Sequence, residues 1–267
     1  MQRILVALDA TAHSEAILNA AASIAESLQA ELVGMFIEDI DLLRMVELPV
    51  IHEIGFATAS RRVLSKEIVS RSMKARAGRA SAHLISIAEK HQLQFSFRVA
   101  RGQMLEEVLA EASENDVVAI GLHTRQQRLI VSSGVVQQSK CSVLLLHHTR
   151  VSGASVIVLY DGSTEANVSI RLGKKLAVAR KNRMVIVLLS DQDKTKALQE
   201  RAAELLGDDV EVSYRSLAPQ HTGELAMLLR QAQCRLLLVP AGFIGKEGML
   251  DVEQFGQFVC PVLVVRP

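Results

Sequence analysis

The sequence predicts an α/β protein made of two tandem open sheets, each with five parallel strands doubly wound by helices. Three observations lead there. Aliphatic runs such as "RILVAL" and "CRLLLVP" recur without polar alternation, which suits parallel strands buried on both faces. Segments with apolar residues at helical spacing separate them, as at Ile17, Ala21, Ile24 and Leu28. The plan also occurs twice, with "SVIVLYDGSTEANVSIRLGKKLAVA" answering "QRILVALDATAHSEAILNAAASIAE".

In chain order, "RILVALDAT" is a strand that ends in a polar turn at Asp9, and a helix runs from about His13 to Leu28. "ELVGMFIED" is the second strand, reached by a crossover expected to be right-handed. Residues 39–55 are apolar but broken by Pro49, and predict a short helix plus a loop. Residues 58–91 lack proline and are rich in helix formers, which predicts one long helix. Its first part carries Arg61, Arg62, Lys66, Arg71, Lys74, Arg76 and Arg79 against Glu67 alone. With no aromatics interleaved, this is read as a solvated helix surface rather than a phosphate or acidic-partner site.

"FSFRVARGQ" is a third strand closed by Gly102, and "MLEEVLAEASEN" a helix with Leu105, Val108, Leu109 and Ala112 inward. "DVVAIG", a loop, a short helix from about Leu129 and "CSVLLL" complete the first copy. Residues 147–155 break the pattern and read as a linker; neighbouring His147 and His148 point opposite ways and have no evident third metal ligand. The second copy then repeats the plan without the Pro49 segment and most of the long helix. This gives two units, 1–148 with an extra helix at 58–91, and a shorter 154–267.

The 267 residues are 49% hydrophobic but only 3% aromatic, so the cores are aliphatic. Net charge is +1, and both halves are near neutral, so nothing points to nucleic acid or an anionic membrane. No apolar run reaches spanning length and no signal peptide opens the chain, so a cytoplasmic protein is expected. Cys141, Cys234 and Cys260 are read as small buried hydrophobes, not a disulfide framework or zinc site.

The stretches "ILVALDATAHSEAILNAAASIAESLQAELVGMFIED", "VARGQMLEEVLAEASENDVVAIG" and the closing "CPVLVV", in this order and repeated, resemble the universal stress protein family. The resemblance covers both halves and implies a tandem member with the family's Rossmann-like, HUP-type fold in each. It further implies that the halves pair through their last strands as an internal pseudo-dimer, because family members pair in that way. In the family's nucleotide-binding branch an Asp ends the first strand near the adenine and ribose. A loop of Gly, two residues, Gly, nine residues, Gly, then Ser or Thr holds the phosphates after the fourth strand.

Asp9 and Asp161 match the first requirement, though an Asp there equally builds a strand-to-helix turn. The loops match badly. From Gly121 the second glycine position is Thr124; Gly134 is in register, but Val135 stands where a hydroxyl is wanted. Counting back from Cys141, a helix of about a dozen residues starts near Leu129 and leaves the loop about five residues short. In the second copy Pro240 takes the first glycine's place and lacks an N–H, while Gly242, Gly245 and Gly248 have another spacing. There the helix would start at Gly248, with Leu250 and Phe255 inward as Val131 and Val136 are in the first copy.

The expectation is therefore a non-enzymatic stress-response or regulatory protein that does not bind ATP tightly and has no obligatory cofactor or metal. The alternative is a switch that binds ATP or another adenine nucleotide through Asp9, Gly121, Thr124, Ser132, Ser133 and Gly134. Enzymatic activity, such as slow ATP hydrolysis, has little behind it: His13, His123 and His221 are scattered, and no activated nucleophile is visible. Expected partners are the two halves for each other, through residues 142–146 and 262–265, with a homodimer as a further option.

Overall fold

The computed structural model describes residues 2–8, 12–40, 44, 52–54, 61–63, 66–121, 133–146, 153–190, 194–207, 209–218, 223–245 and 250–267. The first copy supplies β1 (Arg3–Leu8), α1 (Ala12–Leu28), β2 (Glu31–Asp39), β3 (His52–Ile54), β4 (Arg61–Val63) and α2 (Lys66–Lys90). It continues with β5 (Phe95–Gly102), α3 (Met104–Glu111), β6 (Val117–Gly121), a short helix at 133–138 and β7 (Ser142–Leu146). The second copy supplies β8 (Ser155–Tyr160), α4 (Thr164–Arg180), β9 (Arg183–Leu189), α5 (Thr195–Leu206) and β10 (Val212–Leu217). It ends with α6 (Leu225–Gln231), β11 (Cys234–Pro240), two 3-10 turns at Ala241–Phe243 and Val252–Gln257, and β12 (Val262–Val265).

All the long strands join one ten-stranded sheet in the order β10-β9-β8-β11-β12-β7-β6-β1-β2-β5. Each half has its first three strands running outward and its last two on the other side, parallel throughout. At the centre β12 and β7 pair antiparallel, with Val262 opposite Leu145 and Val264 opposite Val143. Alternate residues of the strands feed a separate core on each face. Ile4, Val6 and Val158 pack with α1, α2, α4 and α5, while Leu5, Val118 and Leu237 pack with α3, α6 and the helix at 133–138.

Three expected elements differ. The long helix begins at Lys66 rather than at residue 58, because Arg61–Val63 pairs antiparallel with His52–Ile54 as a small separate sheet. Strand pairing has overridden a weak local helix preference, and Arg61 and Arg62 therefore leave the proposed basic helical face. His52–Ile54 is likewise a strand within the stretch read as helix plus loop. Among the described residues of the second copy no α-helix of a dozen residues crosses before β12. The six-residue 3-10 turn Val252–Gln257 stands there instead, opened by a hydrogen bond from the Asp251 N–H to Gln254 Oε1 at 3.1 Å. The inward positions were legible all the same: Leu250, Phe255 and Val136 are buried in one core cluster. Val131 lies outside the described residues, as does Leu129, the expected start of the first copy's helix.

Candidate functional site

In a doubly wound sheet the crevice for a ligand opens at the carboxyl ends of the strands where the order reverses. Here those points lie between β1 and β6, and between β8 and β11. The first is entered by Gly121, the last residue of β6, opposite Leu146 in register. Ser133 and Gly134 open the short helix at 133–138. A Cβ at Gly134 would lie 2.9 Å from Leu105 Cδ2, so this glycine lets the helix approach α3. Asp9, Thr124, Ser132, His123, His221 and Gly248 lie outside the described residues; His13 opens α1, with its side chain also outside them.

The second crevice is described on both walls, apart from residues 246–249. Asp161 follows β8, and its Oδ1 accepts the Ser163 N–H at 2.9 Å across a turn with Gly162 at φ +84°. Ser163, not Asp161, is the N-cap of α4 and accepts the Ala166 N–H at 3.2 Å. Below them Tyr160 donates to Asn167 Oδ1 at 2.9 Å, and burial pushes its hydroxyl pKa up. Asp161 thus serves the strand-to-helix turn with half of its carboxylate.

Across the crevice, three N–H donors of the loop after β11 are bonded within the chain. Pro240 has none. The Gly242 N–H donates to Glu165 Oε2 at 2.7 Å, so a side chain from the first turn of α4 bridges the crevice. The Ile244 N–H goes to Ala241 O at 3.1 Å and the Gly245 N–H to Leu250 O at 3.3 Å. Gly245 adopts φ +125°, and Ile244 bridges Leu250 to close the loop on itself. A carboxylate oxygen on the Gly242 N–H occupies the kind of position a phosphate oxygen would take.

Glu165 was not among the residues singled out from sequence. Laying the two copies over each other puts it opposite His13, while the first copy carries its first-turn carboxylate two residues later, at Glu15. That asymmetry was the available signal.

Buried thiols complete the inventory. Cys234 and Cys260 lie with their Sγ atoms 2.7 Å apart, and Ser139 Oγ lies 3.0 Å from Cys141 Sγ. Burial pushes the pKa of Cys141 and Cys234 up, which keeps both as unreactive thiols. Among the described residues no group of three or more His, Cys, Asp or Glu side chains is placed to hold a metal ion. Nor is any described helix long and apolar enough to cross a membrane.

No protein-family profile matches this chain, and no curated protein sequence matches it. Solved structures do. A universal stress protein from Archaeoglobus fulgidus DSM 4304 aligns over 99% of this chain and 96% of its own, at TM-score 0.71 and 16% identity. A candidate universal stress protein from Pseudomonas aeruginosa UCBPP-PA14 covers 100% and 94%, at TM-score 0.60 and 15% identity. A functionally unknown protein from Pseudomonas aeruginosa PAO1 covers 100% and 93%, at TM-score 0.59 and 13% identity.

Proposed function

We propose that this chain, which carries the universal stress protein fold along its whole length, is a tandem stress-response or regulatory protein. It works without catalysis and without tight ATP binding. One observation carries the reading: the Gly242 N–H, at the strand-order reversal of the second half, already holds the Glu165 carboxylate at 2.7 Å. An incoming phosphate would have to displace a covalently tethered anion, whose local concentration is high. The Ile244 and Gly245 N–H groups are also paired within the loop, so fewer donors remain to repay the desolvation of a triphosphate.

The two units are 1–148 and 154–267, and each is the other's partner through β7 and β12, in place of a second chain. No cofactor is obligatory, and the protein acts in the cytoplasm. Isothermal titration with ATP tests the reading. The expected result is no micromolar binding and no turnover by the same preparation. Micromolar binding abolished by Asp9→Ala would replace it with a nucleotide switch seated in the first half.

A further inference from the structure

The two copies differ at one charged position beneath the sheet. In the first, Asp116 precedes β6 and is 2% exposed. Arg3 donates to it from Nη2 at 2.7 Å and from Nε at 3.2 Å, and the Ser113 N–H adds a third bond at 2.8 Å. The repeat places Arg235 where Asp116 stands and Ser155 where Arg3 stands. The acid has become a base, and its cationic partner has become a buried hydroxyl. The Arg235 guanidinium makes no hydrogen bond or ion pair with the described residues, and its charged neighbour is Arg180.

The backbone turns this cation to a new place. Cys234 pairs with Ser155 and Leu236 with Val156, so Arg235 is the extra residue of a β-bulge between them. Bulges re-aim the side chain they carry. Arg235 lines a cleft between α1 and α4, where the two halves meet, together with Arg180, Asn182 and Ser27. Its floor is apolar, formed by Ile24, Val156 and Leu176, which strengthens any charge interaction above it.

Arg180 is already committed. Its Nη2 donates to Ser23 O and Glu26 Oε2, both at 2.7 Å, and its Nε donates to Ser27 Oγ at 3.0 Å. Glu26, which also accepts from His91 Nδ1 at 2.9 Å, balances Arg180 but leaves Arg235 uncompensated. Burial, and then the neighbouring Arg180 charge, lower the Arg235 pKa, as expected for a cation lacking its counter-charge.

We propose that the cleft between α1 and α4 is a binding site for one small anion, held by Arg235 and Asn182. The cavity is about 30 Å³, room for one or two water-sized groups, so the ligand is a halide or a single carboxylate or phosphate group and not a nucleotide. An anion bound there neutralises the uncompensated charge of Arg235 where the two halves meet.

The test is thermal unfolding of the full chain at fixed ionic strength, with chloride, acetate or phosphate exchanged for a bulky organic anion. The wild type is expected to gain stability with at least one of the three, and the series identifies which anion class fits. Arg235→Met is expected to lose that gain at least several-fold, and Arg235→Lys to keep part of it. A crystal soaked in bromide should show its anomalous signal in the cleft. An Arg235→Met protein that responds like the wild type, or a bromide map empty at Arg235, overturns the proposal.

Discussion

Glu165 reaches across the strand-order reversal of the second half. Its carboxylate accepts one backbone N–H in an exposed setting. Glu165→Ala should therefore cost about 0.5–1 kcal/mol, measured by urea unfolding, less than the ~1.5–3 kcal/mol of a well-shielded charged hydrogen bond. Glu26 works at the other end of the sheet. The hydrogen bond from His91 is the largest influence on it and Arg180 adds to it, and together they hold its carboxyl below the ordinary 4.5. A lowered folded pKa means stability that is present above 4.5 and lost as pH falls through the folded value. Wild type and Glu26→Gln should differ in melting temperature at neutral pH and converge in acid below that point. Of the site, the sequence made the strand-to-helix turn at Asp161 legible, because an acidic residue closing an aliphatic run carries it. It hid the Glu165 contact, because a bond spanning 77 residues leaves no local pattern.

Among the elements, strands were the most legible. "ELVGMFIED" folds as β2, and the inward set Ile17, Ala21, Ile24 and Leu28 is buried on α1. Continuous aliphatic runs admit few alternatives when both faces are covered. The hairpin of β3 and β4 was illegible because its three-residue strands are too short to show a period, and their stability comes from each other. The last crossover was misread for a different reason. Leu250 and Phe255 fix only which residues face inward, and a 3-10 turn satisfies that as well as a helix does. Close packing of α4 depends on Gly173, where a Cβ would lie 2.7 Å from Val158 Cγ2 and 2.9 Å from Met184 Cε. Gly173→Val should destabilise the chain by about 1–3 kcal/mol in chemical unfolding, because the sheet beneath cannot recede.

At the scale of the molecule, duplication converts two sheet edges into one interior seam. β7 and β12 close against each other with every residue buried, leaving β5 and β10 as the free edges. Those edges carry Arg98, Arg101 and Arg215, charges that discourage further strand addition. Side chains reinforce the seam: the Arg266 N–H donates to Ser142 Oγ at 3.1 Å, and its Nη2 donates to Val136 O at 2.6 Å. Within this joined scaffold, the Gly242, Ile244 and Gly245 N–H groups of the second half are already bonded to its own chain. Native mass spectrometry of protein purified without added ligand reads whether either half holds a nucleotide. The expected mass is that of the bare chain, with no nucleotide carried through purification; a mass raised by one or two bound adenine nucleotides would overturn the reading.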